Sequence, residues 1–410
     1  MDSKTIESKL ISNSTALLLG AGFSIPFGIP STEKLTELIT SEKIKFVRAT
    51  WGDYYTEEKW REDGFYRSDL DFPKAEAYHN IIRFLYKKEQ AIESKLVRKI
   101  NFEDIYSLLY SLGHPSRNAC NHRYLEDFIE HLDKLNDAEK TKLKIPYPGQ
   151  NLLNGLIRQP DTYFKAMKML KCIIAKELEK HNGVDVTLLK SKFWDHLFKS
   201  EKINIFSLNH DLIIEQILGH KSKDFQDGFE LKNGFQEFTD NFPDNNKINF
   251  LKLHGSIDWF NVNYSGRNFY VNNKDAQIES MIKRYSEGSQ ELLLINDRAF
   301  LTGTQNKYEE YLMSIYSDLK WHYKRLLKDT ERLIVIGYSF GDYGVNTEII
   351  NWMHKKMDAK LIIIDPNANT LLETGFLMPR LKEAFPKRIA AINKGFENLT
   401  ETDYKSIFST

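Results

Sequence analysis

Short apolar runs that end in glycine or in polar residues recur along this chain of 410 residues. The first run covers residues 16–19 and is followed at once by two glycines. An uninterrupted run of this length is typical of a strand that is buried on both faces of a parallel sheet. Apolar residues at helical spacing over 35–39 then predict a helix, with Ser31 or Thr32 as its N-cap.

Later apolar runs have the same form, and each of them predicts a further strand. They cover residues 203–208, 250–253, 332–336, 360–364 and 388–392. Strands that alternate with helical patterns are typical of a parallel sheet with crossover helices. The sequence therefore predicts an α/β fold, a Rossmann-like and mostly parallel sheet with flanking helices.

The region between the first strand–helix unit and the second strand has a different pattern. Charged residues are dense, glycine is sparse, and apolar stripes at helical spacing lie in 81–85, 105–112 and 125–132. This pattern favours a large, mainly helical insertion. The predicted domains are therefore a sheet domain formed by 1–40 and 199–410, and an insertion formed by 41–198.

The glycines after the first strand could bring backbone N–H groups close to a phosphate. Gly20 and Gly22 allow a tight turn, and a helix N-terminus that follows a strand is suited to anions. The dinucleotide fingerprint G-x-G-x-x-G is not complete, because Ile25 stands where its third glycine would be. From these residues alone, a nucleotide site and a plain structural turn both remain open.

Polar side chains follow the next two predicted strands. Asn209 and Asp211 come after the run 203–208, and His254 comes after the run 250–253. The carboxyl ends of strands in open α/β sheets are where ligands bind, and imidazole is the usual general base near neutral pH. Each residue also has a structural alternative, since Asn and Asp are common helix caps and a histidine can be a packed core residue.

The run 332–336 leads into Gly337-Tyr338-Ser339-Phe340-Gly341, which fits the Gly-x-Ser-x-Gly pattern of a hydrolase nucleophile elbow. We reject that interpretation, because the required histidine should follow an acid such as Asp365, and the last histidine is His354. Asp365 itself closes the run 360–364, and an acidic residue at that position can bind ribose hydroxyls.

Composition narrows the class of protein. The chain has 57 basic and 57 acidic side chains, and this neutral balance argues against direct nucleic-acid binding. No apolar segment approaches the length of a membrane span, and the first residues lack a signal core, so we expect no membrane association. The two cysteines, Cys120 and Cys172, cannot form a disulfide framework, and a cytoplasmic location fits them.

The glycine loop resembles that of the sirtuin family. Gly20-Ala21-Gly22-Phe23-Ser24 fits the G-A-G-x-S loop of that family, and Gly28-Ile29-Pro30 fits its G-I-P. The later strand ends also fit the family in order, with an Asn-x-Asp turn, a His-Gly and a Gly-x-Ser turn. The resemblance covers about residues 15–40 and 200–395, and it implies binding of NAD.

The chain also departs from the protein-deacylating sirtuins. They continue after G-I-P with Asp-Phe-Arg, whereas this chain has Ser31, Thr32 and Glu33. They also carry a zinc module of paired C-x-x-C motifs, which two isolated cysteines cannot supply. We therefore expect no metal, and these departures argue against deacylation.

The segments Leu-Asn-His-Asp, Leu-His-Gly-Ser-Ile and Ile-Gly-Tyr-Ser-Phe-Gly-Asp more narrowly resemble sirtuin-like proteins of bacterial antiphage defence. This resemblance implies a cytoplasmic bacterial NAD⁺ hydrolase that releases nicotinamide and ADP-ribose. It also implies a homo-oligomer and a HerA-type ATPase as partner. The implied catalytic residues are Asn209 and His254, and the implied NAD-contacting residues are Gly20, Ala21, Gly22, Phe23, Ser24, Asp211, Gly337, Ser339, Asp342 and Asp365.

Two other classes of function stay open on the sequence. One is transfer of a group, as an NAD-dependent deacylase or an ADP-ribosyltransferase. The other is a non-catalytic module that senses NAD or ADP-ribose.

Overall fold

The computed structural model describes residues 14–41, 46–48, 54–56, 72–92, 99–114, 160–180, 186–232, 234–243, 246–264, 266–273, 293–303, 306–374 and 378–408. The strands are β1 Ser14–Leu19, β2 Phe46–Arg48, β3 Tyr54–Thr56, β4 Lys202–Ser207, β5 Gly228–Lys232, β6 Phe235–Asn241, β7 Ile248–Lys252, β8 Gly255–Tyr264, β9 Arg267–Asn272, β10 Leu293–Phe300, β11 Arg332–Ile336, β12 Lys360–Ile364 and β13 Ile389–Ile392. The helices are α1 Ala21–Ser24, α2 Thr32–Ile39, α3 Phe72–Ile92, α4 Phe102–Gly113, α5 Pro160–Glu179, α6 Val186–Leu189, α7 Lys192–Leu197, α8 Ile213–His220, α9 Asn306–Glu310, α10 Ser314–Lys328, α11 Tyr343–Lys355, α12 Ala368–Thr374, α13 Met378–Ala384 and α14 Glu401–Phe408. Short 3-10 helices lie at Ile25–Phe27 and Phe396–Asn398.

The chain forms two compact units that are each built from separate stretches. Unit 1 comprises Met1–Ile29, His181–Ser256 and Glu310–Thr410, and unit 2 comprises Pro30–Lys180 and Ile257–Glu309. These boundaries differ from the division at residues 40 and 199. Residues 30–40 and 257–309 group with the helical region, and residues 181–198 group with the sheet.

Unit 1 contains the parallel sheet. Within the described residues, six strands lie in the order β13-β12-β11-β1-β4-β7, and every neighbouring pair is parallel. Numbered by their sequence within this sheet, the strands have the order 3-2-1-4-5-6, which is the doubly wound Rossmann order. The predicted fold class is therefore confirmed, and each run of the sequence analysis forms one of these strands.

Burial explains why the central strands read as uninterrupted apolar runs. Every residue of β1 is buried, as is every residue of β11. Helix α10 packs against β4 and β7 and covers part of one face, where Tyr323 meets Phe206 edge to face. A strand covered on both faces has no position for a solvated side chain.

The strand order places a switch point between β1 and β11, where the crossover connections diverge to opposite sides. The hydrogen-bond ladder continues one residue beyond the strands at this edge. Gly20 donates to Ile336, Leu208 donates to Leu19, and Leu253 donates to Ser207. The first residues after the strands therefore lie side by side.

Unit 2 holds the helices α2, α3, α4 and α5, with α5 packed against the other three. Ser31 caps α2 by accepting the N–H of Lys34, which confirms one of the two predicted caps. Strands β8, β9 and β10 also belong mainly to this unit, with β8 between β9 and β10.

The predicted insertion is helical where the structure describes it. The stripes 81–85 and 105–112 lie on α3 and α4, and Ile82, Ile105 and Leu109 are fully buried. The third stripe, 125–132, lies outside the described residues, as does Cys120. Among the helices that could be searched, none is long and apolar enough to cross a bilayer.

Candidate active site

The glycine loop after β1 packs directly on the turn after β11. Gly22 donates its N–H to the carbonyl of Gly337 at 2.9 Å. A Cβ added to Gly20 would lie 2.5 Å from the carbonyl oxygen of Gly337, and one added to Gly22 would lie 2.9 Å from its Cα. Gly337 has φ +62°, and a Cβ there would meet the backbone of Gly22 and Phe23. Glycine is therefore required on both sides of this contact.

The side chains of the glycine loop differ in burial. The ring of Phe23 is buried against Phe27, Trp194 and Phe396, with centroids 5.2, 6.1 and 5.2 Å away. The ring therefore packs in the core, and the expected contact of Phe23 with NAD remains a prediction. Ala21 is exposed at the start of α1.

Asn209 joins the turn after β4 to the glycine loop. Its Nδ2 donates to the carbonyl of Gly20 at 2.9 Å and to Oγ of Ser24 at 2.8 Å. Because a carbonyl oxygen can only accept, the amide nitrogen must face Gly20. With both N–H bonds used, the remaining hydrogen-bonding atom of this side chain is the acceptor Oδ1. The Asn209 side chain is therefore suited to receive a hydrogen bond from a hydroxyl group or water.

Asp211 supports the turn that leads into the next helix. Its Oδ1 accepts the backbone N–H of Ile213, the first residue of α8, at 3.1 Å, whereas Leu212 occupies the N-cap position. This hydrogen bond gives Asp211 a structural role in the turn before α8. A contact of Asp211 with a ligand remains a prediction.

Lys252, the last residue of β7, binds the turn that contains Asn209 and Asp211. Its Nζ donates to the carbonyls of His210 and Asp211, to Oε1 of Glu215 at 2.9 Å and to Oγ of Ser256 at 2.7 Å. The side chain is 2 % exposed, so its charge is shielded from water and balanced by these partners. Lys252 fixes the Asn209–Asp211 turn relative to the strand that leads to His254.

His254 follows β7 and contacts two groups from later parts of the chain. Its Nε2 lies 2.6 Å from the phenolic oxygen of Tyr311 and 3.0 Å from Oδ2 of Asp342. Tyr311 also donates to Oδ2 of Asp342 at 2.9 Å. The side chains of His254 and Asp342 are 5 % and 8 % exposed, so their interaction is weakly screened by solvent.

The tyrosines around Asp342 stay protonated. Burial raises the pKa of Tyr311 well above its usual value, and the negative charge of Asp342 raises it further. The pKa of Tyr338 is raised well above its usual value by the same two causes in the same order. Both phenols therefore stay protonated at neutral pH and can act as hydrogen-bond donors.

The remaining predicted residues lie at the same carboxyl edge. Ser339 is exposed in the turn after β11, and Asp365 follows β12. Oδ1 of Asp365 accepts the N–H of Asn367 at 2.8 Å, which supports the local turn. A role of Ser339 or Asp365 in ligand binding remains a prediction.

In the part of the chain that the structure describes, no group of three or more His, Cys, Asp or Glu side chains is arranged to hold a metal ion. Cys172 is buried within α5. The expectation of a metal-free protein remains a prediction.

Residues 203–384 match a family model described as a SIR2-like domain. This segment is similar to SIR2-like domains. It spans β4 to α13 and so includes Asn209, His254 and Asp342.

Two solved structures are similar to the chain at 13 % sequence identity and a TM-score of 0.26. One is a Sir2 variant with a deacetylated p53 peptide and 3′-O-acetyl ADP-ribose, and the alignment covers 91 % of this chain and 94 % of that one. The other is Sir2 with a p53 peptide and NAD⁺, and the alignment covers 92 % of this chain and 94 % of that one. Comparison with curated proteins gave no match.

Sequence reasoning missed Tyr311 and Lys252 as parts of this site. Tyr311 lies 57 residues beyond His254, and no motif surrounds it. Lys252 could have been noticed in the sequence, because a charged residue within an apolar strand needs buried partners. The structure pairs Asp342 with His254, and the expected contact of Asp342 with NAD remains a prediction.

Proposed function

We propose that this chain binds NAD⁺ and hydrolyses the bond between nicotinamide and ribose, which releases ADP-ribose. The arrangement of Asn209 and His254 carries the proposal. They follow the adjacent parallel strands β4 and β7, at the carboxyl edge where doubly wound sheets bind nucleotides, and Asn209 contacts the glycine loop. The SIR2-like match over 203–384 supports NAD⁺ as the nucleotide.

The chemistry needs little beyond positioning and one base. Nicotinamide leaves as a neutral ring, and C1′ of the ribose passes through an oxocarbenium-like state. The acceptor Oδ1 of Asn209 would orient a ribose hydroxyl or the attacking water, and His254 would accept the proton that is released. Backbone N–H groups of the glycine loop would hold the pyrophosphate.

Water is the acceptor that we favour over an acyl-lysine side chain. The deacylating sirtuins have Asp-Phe-Arg after the G-I-P segment, whereas Ser31, Thr32 and Glu33 occupy those positions here. By analogy with the sirtuin-like proteins that the sequence resembles, we further propose that hydrolysis depletes NAD⁺ during antiphage defence. A HerA-type ATPase is the proposed partner.

Replacement of the two central side chains tests the proposal. We expect Asn209→Ala and His254→Ala each to lower NAD⁺ cleavage by roughly a hundredfold to ten-thousandfold, as measured by chromatography of the products. The control is His220→Ala, since His220 is exposed at the end of α8 and should keep normal turnover. Near-normal turnover in both site variants would overturn the assignment.

The same incubation separates hydrolysis from the other classes of function. Label from NAD⁺ that remains on a protein or nucleic acid would indicate group transfer. Binding of NAD⁺ or ADP-ribose without turnover, alone and with every partner tried, would indicate a sensing module. Release of free ADP-ribose in an amount equal to nicotinamide is the result that we expect.

A further inference from the structure

Three polar atoms from distant parts of unit 1 form a closed triangle. They are Nε2 of His254, the phenolic oxygen of Tyr311 and Oδ2 of Asp342. The phenolic oxygen lies 2.6 Å from Nε2 and 2.9 Å from Oδ2, and Nε2 lies 3.0 Å from Oδ2. Each pair is within hydrogen-bond distance, so the positions of the protons determine whether each edge is attractive. The triangle therefore restricts the tautomer of the histidine.

Only one arrangement of protons makes all three edges attractive while Asp342 is ionised. Tyr311 has one proton, and it donates that proton to the carboxylate. If Nε2 of His254 had a lone pair, it would face the lone pairs of both oxygens. If Nε2 carries a proton, it donates to Oδ2 and to the phenolic oxygen.

The ionised form of Asp342 has further support from the helix that it begins. Asp342 is the N-cap of α11, and its Oδ1 accepts the N–H of Val345 at 3.0 Å. Helix α11 runs for 13 residues, and a negative charge at its N-terminus interacts favourably with the helix dipole. The two carboxylate oxygens thus have separate tasks, one at the helix and one at His254.

We propose that Asp342 and Tyr311 are positioning residues that hold His254 with its proton on Nε2, so that Nδ1 accepts the proton in the reaction. This inference rests on the proposed NAD⁺ hydrolysis for its catalytic meaning. Its structural content, the tautomer and the proton affinity of His254, does not depend on turnover.

The proposed step is balanced in atoms and charge. Water forms a bond to C1′ of the ribose, and the C1′–nitrogen bond breaks with its electron pair going to nicotinamide. Nδ1 of His254 takes the proton of the water, and the ring becomes a cation. The adjacent carboxylate of Asp342 stabilises that cation through the Nε2–H donor.

Other titratable groups also surround the triangle. The ring of His210 lies 6.3 Å from that of His254, and the ammonium of Lys320 lies 5.1 Å from the ring of Tyr311. Tyr323 on α10 and Tyr338 in the turn after β11 interact with the charge of Asp342, and Lys252 lies on the strand before His254. The carboxylate of Asp342 is in direct contact with the imidazole, so its removal should dominate any change at His254.

The test is the titration of His254, followed by NMR of the Cε1–H group in protein labelled with ¹³C-histidine. The His254→Gln variant identifies the signal among the 11 histidines. We expect Asp342→Asn to lower the pKa of His254 by about 1–3 units, because an adjacent opposite charge is lost. Asparagine is also a good N-cap, so α11 should stay folded.

Tyr311→Phe provides a second variant that keeps the packed ring. The ¹³Cδ2 shift of the neutral imidazole reports which nitrogen carries the proton. We expect the Nε2–H form to persist in this variant, because Asp342 still accepts from Nε2. An Nδ1–H form in the parent protein that changes to the Nε2–H form in this variant would show that Tyr311 donates to Nε2, and it would overturn the proposal.

The matched control is Asp240→Asn. Among the described residues of unit 1, Asp240 forms another His–Asp contact, with Oδ1 2.7 Å from Nε2 of His322, although the Asp240 side chain is 45 % exposed. Its φ is +57°, a conformation that asparagine tolerates well. We expect this variant to leave the titration of His254 and the turnover of NAD⁺ unchanged.

Kinetics distinguish this inference from the proposed function. We expect Asp342→Asn to lower kcat, to move the acid limb of kcat/KM to lower pH, and to leave KM nearly unchanged. A raised KM with an unchanged pKa of His254 would make Asp342 a ligand contact and overturn the positioning role. A lowered pKa in a protein that never cleaves NAD⁺ would preserve the inference about His254 and overturn the function.

Discussion

Lys252 is a charged side chain inside an otherwise apolar strand, and its contacts explain its position. Its ammonium group binds two carbonyls of the turn after β4 and the carboxylate of Glu215 on α8. A buried charge of this kind is tolerated because its partners replace water. The residue therefore supports the turn of Asn209 without itself being a candidate for catalysis.

We expect Lys252→Met to lower the free energy of unfolding by about 3 kcal/mol, because the buried partners of the ammonium group are left without a donor. The control is Lys221→Met, whose partner Asp195 is 57 % exposed, and it should change the stability by less than about 1 kcal/mol. Urea denaturation measures both. Equal effects of the two substitutions would contradict the structural role of Lys252.

Gly337 is the second residue whose identity is dictated by its surroundings. It combines φ +62° with a backbone contact to Gly22 and Phe23. Gly28 has φ +91° but no heavy atom within 4 Å of an added Cβ. A side chain at Gly28 would meet only backbone strain, whereas a side chain at Gly337 would meet both strain and a steric clash. A comparison of the two positions therefore distinguishes the two effects.

We expect Gly337→Ala to destabilise the protein by about 3–5 kcal/mol, since strain and a backbone clash add together. Gly28→Ala should cost about 1–2 kcal/mol, because only the strain applies. The free energies of unfolding from urea titration give the comparison. Equal stability of the two variants would contradict the close packing of the glycine loop against the turn after β11.

At the scale of elements, the C-terminal helix α14 is held by its first turn. Thr400 donates its N–H to Asp403 at 2.7 Å, and Lys394 forms an ion pair with the same carboxylate at 2.7 Å. The hydrogen bond from Lys394 is the largest of the causes that lower the pKa of Asp403 to about 2. The helix in turn packs on α7, where Phe193 meets Phe408.

This lowered pKa predicts a specific dependence of stability on pH. Because the folded pKa of Asp403 is below its unfolded value, the carboxylate stabilises the fold above about pH 4. That contribution is lost as the pH falls toward about 2. We therefore expect Asp403→Asn to be less stable than the parent protein at pH 7, with a difference that narrows at acid pH.

The comparison is made by urea titration at several pH values. Asp224→Asn, at an exposed position between α8 and β5, serves as the control and should show little difference at any pH. A constant difference between Asp403→Asn and the parent protein from pH 7 to pH 2 would contradict the role of this carboxylate.

At the scale of the whole molecule, the candidate site lies within unit 1, whereas the helices of the insertion lie mainly in unit 2. An NAD⁺ hydrolase that was always active would drain its own cell, so its activity needs control. The sequence has no phosphate-loop motif for an ATPase motor of its own. The amphipathic helices of the insertion offer surfaces for association.

We therefore expect turnover to depend on assembly, with further copies of the chain or with the proposed HerA-type ATPase. Native mass and NAD⁺ turnover are measured for the chain alone and then with the product of the neighbouring gene. Higher turnover in the larger assembly is the expected result. A monomer that hydrolyses NAD⁺ at full rate, unaltered by the second protein, would contradict this prediction.

The sequence by itself determined the local elements of this protein. The apolar run 16–19 became β1 because burial on both faces demands an uninterrupted pattern, and Ser31 capped α2 because its hydroxyl accepts an unpaired N–H. The turns with Gly20, Asn209 and His254 were also located correctly after their strands. These features depend on residues that are close neighbours in the chain.

Tertiary structure alone decided which of these turns meet and what each polar atom binds. Asn209 reaches Gly20 across 189 residues, and Asp342 reaches His254 across 88. A local pattern records that a strand is buried but not which strands flank it, so the sheet order had to come from the fold. The same reason explains Tyr311, since its partners are fixed by the packing of separate elements and by no motif around it.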